Sequence, residues 1–148
     1  MTLTERVSQE LKAAMLARDA ERLSTLRLLK SALGYAQIER KTETLPDADV
    51  VVIVQKEIKK RRDAIEHYEK GGRSESAALE QREVKVLESF LPQPLTPEEL
   101  AQLVRDTIQE VGASSKKEMG LVIKAVQAKA AGRADGKTIS ALVGKLLP

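Results

Sequence analysis

Apolar residues recur at steps of three and four through most of the chain, the spacing that lines one face of a helix. Val7, Leu11, Ala14 and Met15 fall on one side of a segment from about residue 4 to residue 18. The segment opens with Thr2-x-x-Glu5, a capping box in which each side chain bonds a backbone N–H that the helix leaves unpaired. After Asp19, a second N-cap, Leu23, Leu26, Leu29, Leu33 and Ala36 keep the period. Leu28 and Tyr35 widen that apolar face, as in a central helix packed on two sides. Residues 42–46 interrupt the pattern, and Asp47 and Asp49 then supply the negative charge favoured at a helix start. The β-branched run at 50–54 is the one strand-like stretch. Val51, Val54, Ile58, Ile65 and Tyr68 nevertheless hold a helical step, which predicts a helix to about residue 70. Gly71-Gly72 breaks it, and Ser74 caps a fourth helix in which Leu79, Val86, Leu87 and Phe90 share a face.

The sequence LPQPLTPEEL divides the pattern, because proline lacks an N–H and disfavours helix at the residue before it. Thr96-Pro97-Glu98-Glu99 then combines N-cap, first-turn proline and third-position glutamate. Leu100, Leu103, Val104, Thr107, Ile108 and Val111 follow at helical spacing until Gly112 stops them. Ser115 with Glu118 reads as another capping box, for a helix carrying Met119, Val122, Ile123 and Val126, and Gly132 ends it. Asp135 caps a last helix with Ile139, Leu142, Val143, Leu146 and Leu147, which leaves Gly132, Asp135 and Gly136 to shape a tight link. The fold class is therefore all-α. An N-terminal bundle of about four helices, residues 1–93, precedes a small three-helix module, residues 94–148.

Composition narrows the chemistry. The 148 residues are 42% hydrophobic, enough for a core in one domain or two small ones, and 32% charged. There is no cysteine, and His67 stands alone, so neither a thiolate nor a multi-histidine metal site is expected, and no cofactor. No apolar run approaches the ~18 residues of a membrane helix. The N-terminus has no signal-peptide block, and Glu5 and Glu10 sit where a transit peptide is poor in acids. These features predict a cytoplasmic protein without a membrane partner.

Three motifs invite a functional reading and lose it. The run GRADGKT places three residues between its glycines where a phosphate-binding loop needs four, and it follows an amphipathic helix rather than a strand. His67, beside Glu66 and four residues after Asp63, lies in a stretch so charged that it reads as a surface histidine. Lys56, Lys59, Lys60, Arg61 and Arg62 alternate with Glu57, Asp63, Glu66 and Glu69 at partnering distances, the pattern of a solvated face. No catalytic residue is assigned.

The charge of residues 112–148 is different, with seven cations against Glu118 and Asp135, a surplus of five in a chain whose net charge is +3. Lys116, Lys117, Lys124, Lys129, Arg133 and Lys137 are candidate phosphate contacts. The aromatics Tyr35, Tyr68 and Phe90 all lie outside this stretch, so RNA would be recognised by shape and backbone, not by base stacking.

The run EVGASSKKEMGLVIKAVQAKAAGRADGKTISALVGKLL resembles the tail domain of GatB, a subunit of the glutamine-dependent amidotransferase that acts on misacylated tRNA. With RLSTLRLLKSALGYAQIE, QKEIKKRRDAIEHYEKGGR and EVKVLESFLPQPLTPEEL added, nearly the full length is similar to the YqeY family of small stand-alone proteins. The resemblance implies a tRNA-contacting appendage without the catalytic body of GatB. Three functional readings follow. One is a non-catalytic module binding tRNA or another folded RNA, and one an accessory to carbon–nitrogen ligase activity with glutamine as amido donor. The third is an adaptor whose N-terminal helices dock a protein partner.

Overall fold

The computed structural model describes residues 1–148 and is all-α, with seven α-helices and one 3-10 turn. It divides into two compact units, Met1–Leu91 and Pro92–Pro148.

The first unit holds α1 (Leu3–Ala17), α2 (Ala20–Glu39), α3 (Asp47–Lys70) and α4 (Ser74–Glu88). Short links force α1 against α2 and α3 against α4, and α2 also packs on α3 and α4. Leu26, Leu29, Val50, Val54, Leu87 and Phe90 are sealed in the shared core. Fully burying a side chain of this kind contributes about 1.5–3 kcal/mol. The run at 50–54 is helical, because Val50 and Val54, four apart, both face this core. Thr2 and Glu5 form the reciprocal cap of α1, and Asp19 caps α2 by accepting from Arg22 N–H. Arg6 ties α1 to the end of α4: its guanidinium donates to Ser89 O at 2.6 Å and lies 5.0 Å from the Phe90 ring centroid.

Several details of the first unit differ from the pattern reading. Leu28 and Tyr35 are 52% and 75% exposed, so α2 buries one face, built on Thr25, Leu26, Leu29 and Leu33, and leaves its widened side in solvent. Met15 and Leu79 also point outward, and Ala77 takes the place expected of Leu79. Ser74 is the first residue of α4, and the cap position falls to Arg73 without a side-chain bond. The basic run is not wholly a solvated face. Arg61 is 9% exposed, donates to Glu83 Oε2 at 3.2 Å and to Glu57 O at 3.1 Å, and links α3 to α4. Arg62 reaches Glu88 on the same neighbouring helix.

The second unit holds α5 (Pro97–Val111), a 3-10 turn (Lys116–Glu118), α6 (Met119–Ala130) and α7 (Gly136–Leu146). The three helices pack on one another around Val104, Val122, Val126, Ile139 and Val143. Thr96 and Glu99 complete their capping box, and Gly112 ends α5 in the left-handed region at φ 75°. The expected box at Ser115 does not form. Glu118 turns its carboxylate to Ser114 N–H at 2.9 Å, the Ser115 side chain makes no cap bond, and only a 3-10 turn precedes α6. Ala131, at φ 48°, is the residue that ends α6, one position earlier than the glycine expected to do so. Gly132 continues the left-handed path at φ 86°, the conformation glycine adopts cheaply.

Candidate nucleic-acid interface

The interface begins with the elements that fix its frame. Asp135 accepts from Thr138 N–H at 2.7 Å and starts α7, so that carboxylate is committed to the backbone. Glu118 is committed in the same way, to Ser114 N–H. Both acids of residues 112–148 thus bond backbone N–H groups.

The six cations singled out in the sequence separate into two groups. Lys129, near the end of α6, forms an ion pair with Glu110 of α5. Arg133, in the link after α6, donates from Nε to Gln93 O at 2.9 Å while its own carbonyl accepts from Leu95 N–H at 2.8 Å. These two bonds hold residues 93–95 against the link. Lys129 and Arg133 share a shallow groove with Glu99 and Asp106 of α5. Hydrogen bonds with Thr96 hold the Glu99 carboxyl below its usual range, and the Arg133 charge adds to the effect. Lys116, Lys117, Lys124 and Lys137 are exposed, and their side chains make no ion pair or hydrogen bond within the protein. The first two lie in the 3-10 turn, Lys124 lies in the middle of α6, and Lys137 lies in the first turn of α7. Gly132 lies in the link, Asp135 caps α7, and Gly136 is the first residue of that helix.

Pattern reasoning missed three participants. Glu110 and Gln93 are far in sequence from the cations they hold, and no i,i+4 rule reaches them. Leu121 falls off the buried step of α6 and is 58% exposed, between Lys117 and Lys124 in sequence. Its signal was the mismatch itself, a leucine on the polar side of a well-phased helix.

The family model for Yqey-like proteins matches residues 4–147. The chain belongs to the YqeY-like family. Among fungal proteins similar to this chain, an uncharacterized protein of Schizosaccharomyces pombe is 34% identical over 87 residues, 59% of this chain and 70% of its own length. "Altered inheritance of mitochondria protein 41, mitochondrial" of Vanderwaltozyma polyspora is 31% identical over 85 residues, 57% of this chain and 46% of its own. The protein of the same name from Kluyveromyces lactis is 32% identical over 84 residues, 57% and 45%. The match thus spans about half the length of either mitochondrial relative. No helix of this chain is long and apolar enough to cross a membrane.

Proposed function

We propose that this protein is a non-catalytic RNA-binding module whose second unit engages tRNA, or a folded RNA of similar shape, through the basic surface of residues 112–148. One observation carries the reading: Lys116, Lys117, Lys124 and Lys137 are exposed and make no ion pair or side-chain hydrogen bond within the protein, in a stretch with only two acids. Such a surface gains affinity by releasing counterions from phosphates, so binding weakens as salt rises. Cytoplasm, the compartment read from the sequence, and mitochondrion, the one in two relatives' names, both hold tRNA.

The test is a titration of the full chain with an unmodified tRNA transcript, followed by fluorescence anisotropy across a salt series. With four phosphate contacts the plot of log affinity against log salt should slope by about −3 to −4. No binding at low salt, or binding indifferent to salt, rejects the reading. An accessory role in an amidotransferase uses the same RNA surface within a complex, and co-purification of amidotransferase subunits from lysate would single it out.

The adaptor reading draws on a separate observation in the first unit. Leu28, Tyr35 and Ile38 leave α2 at 52%, 75% and 77% exposure and at a seven-then-three spacing, an apolar stripe turned away from the core. Tyr35→Asp with Ile38→Asp should abolish capture of any protein that uses this stripe and leave RNA affinity within about twofold, a small fraction of a tenfold 1.4 kcal/mol step.

A further inference from the structure

Helix α6 has three sides, and two of them are occupied. Lys129 faces α5 through its pair with Glu110. Toward α7, Met119 Cε and Gln127 Nε2 each come within 3.2 Å of where a Cβ on Gly144 or Gly136 would stand. The third side carries Gly120, Leu121, Lys124 and Ala128, all exposed. Lys117 of the 3-10 turn continues it, at steps of four, three and four along Lys117, Leu121, Lys124 and Ala128. At ~2.0 Å of rise per residue in the 3-10 turn and ~1.5 Å in α6, the two lysines stand roughly 11 Å apart along the axis. Between them Leu121 is an exposed apolar side chain, and Gly120 and Ala128 are small enough for a ligand to approach the helix backbone. Glu118, the one acid beside the row, is turned to Ser114 N–H.

We infer that this outward face of α6 is where RNA docks, and that the element it grips is a base-paired stem, with Lys117 and Lys124 on phosphates and Leu121 against the sugars. The inference rests on the RNA-binding reading above and adds to it a face and a class of RNA. The unit from Pro92 to Pro148 contains no aromatic residue, so it has no platform on which unpaired bases could stack. A stem instead offers phosphates and 2′-hydroxyls across a wide, shallow minor groove, a surface that a helix with two lysines and a low apolar ridge can meet. Lys129 and Arg133, engaged by Glu110 and Gln93, hold the module together beneath this face.

Anisotropy titrations of the full chain with the tRNA transcript, a short blunt RNA duplex and an oligouridine of equal length separate these statements, with melting temperature measured alongside. Lys117→Gln with Lys124→Gln should weaken tRNA and duplex binding at least tenfold and flatten the salt slope by about 1.4 to 1.8. Leu121→Glu, a substitution at an exposed site, should weaken both to a similar extent and leave the melting temperature in place. Lys129→Gln with Arg133→Gln should lower the melting temperature and reduce affinity far less. If the wild-type chain binds none of the three RNAs, the RNA reading itself falls. If it binds, but prefers oligouridine to duplex, or loses as much from the Lys129 and Arg133 pair as from the Lys117 and Lys124 pair, the α6 assignment falls and the RNA reading stands. Should the double lysine variant unfold, Leu121→Glu decides alone, since undiminished duplex binding by it overturns the assignment.

Discussion

In Met1–Leu91, 17 Lys and Arg side chains meet 16 Asp and Glu, and the pairs run from helix to helix: Arg22 with Glu10, Arg82 with Glu21, Arg61 with Glu83, Arg62 with Glu88. In Pro92–Pro148 eight cations meet six acids, and the two signs are segregated along the sequence, with −3 on residues 92–111 and +5 on residues 112–148, although Lys129 and Glu110 pair across the two stretches. A small positive surplus in each unit, +1 and +2, thus has different consequences. Interleaved charges neutralise one another and tie helices together, whereas segregated charges leave a directed field that a polyanion can feel. The basic run of α3 is as dense as anything in the second unit, but one of its members is buried and others have carboxylate partners. Density of positive charge is a poor guide to a binding surface, and what the neighbouring acids are doing is a better one.

The largest expected effect lies in the first unit's core. Phe90→Ala should cost about 3–5 kcal/mol, removing a sealed ring and the partner of Arg6. We expect the amide NMR signals of residues 92–148 to keep their dispersion while those of the first unit collapse, and loss of both together would mean that the two units share one cooperative fold. Next in size, Arg61→Ala should cost roughly 2–3 kcal/mol by urea denaturation, below the usual figure for a broken buried pair because Glu83 keeps some solvent. Arg61→Met combined with Glu83→Leu should recover most of that loss, since apolar packing can replace such a pair. Thr96→Ala should cost about 1 kcal/mol, read from thermal unfolding of the second unit.

The smallest effect is a contrast in pH response between two exposed or half-exposed carboxyls. Glu99 is held below its usual value by Thr96, so its contribution is present above the ordinary value of 4.5 and is lost as pH falls through its folded value. Glu80 is raised, first by burial and then by the charge of Glu83, so its contribution is present below 4.5 and is lost as pH rises through its folded value. Carboxyl carbon-13 titrations should place the two on opposite sides of an unperturbed glutamate. Thr96→Ala should return Glu99 toward the ordinary value and leave Glu80 unmoved.

What could be read from the sequence is what is local to it. Thr96 with Glu99, Asp135 with Thr138 and the glycine after Val111 act over three or four residues, and each does in the structure what its spacing predicts. The all-α class follows from the same short-range periodicity. Ser115 with Glu118 has the same spacing and does not form the box: the Glu118 carboxylate takes Ser114 N–H instead, an alternative that the motif does not encode. Arg61 was hidden for another reason: whether a cation in a charged run is buried depends on which helix comes to lie over it, and α4 does. Of the candidate contacts, the surplus of charge was plain, but its division was not. Glu110 and Gln93 are 19 and 40 residues from the cations they hold.

The two bonds between Arg133 and residues 93–95 also bear on the order in which the second unit forms. They close a span of 40 residues, so the entropy of bringing its ends together must be overcome before they can form. During synthesis Gln93 and Leu95 join the growing chain 40 and 38 residues before Arg133 exists to receive them. The capping box of Thr96 and Glu99 is complete from the outset, but the segment leading into it stays unanchored until the chain is nearly finished. Gln93 and Leu95 thus belong, in time as in bonding, to the C-terminal end of the molecule.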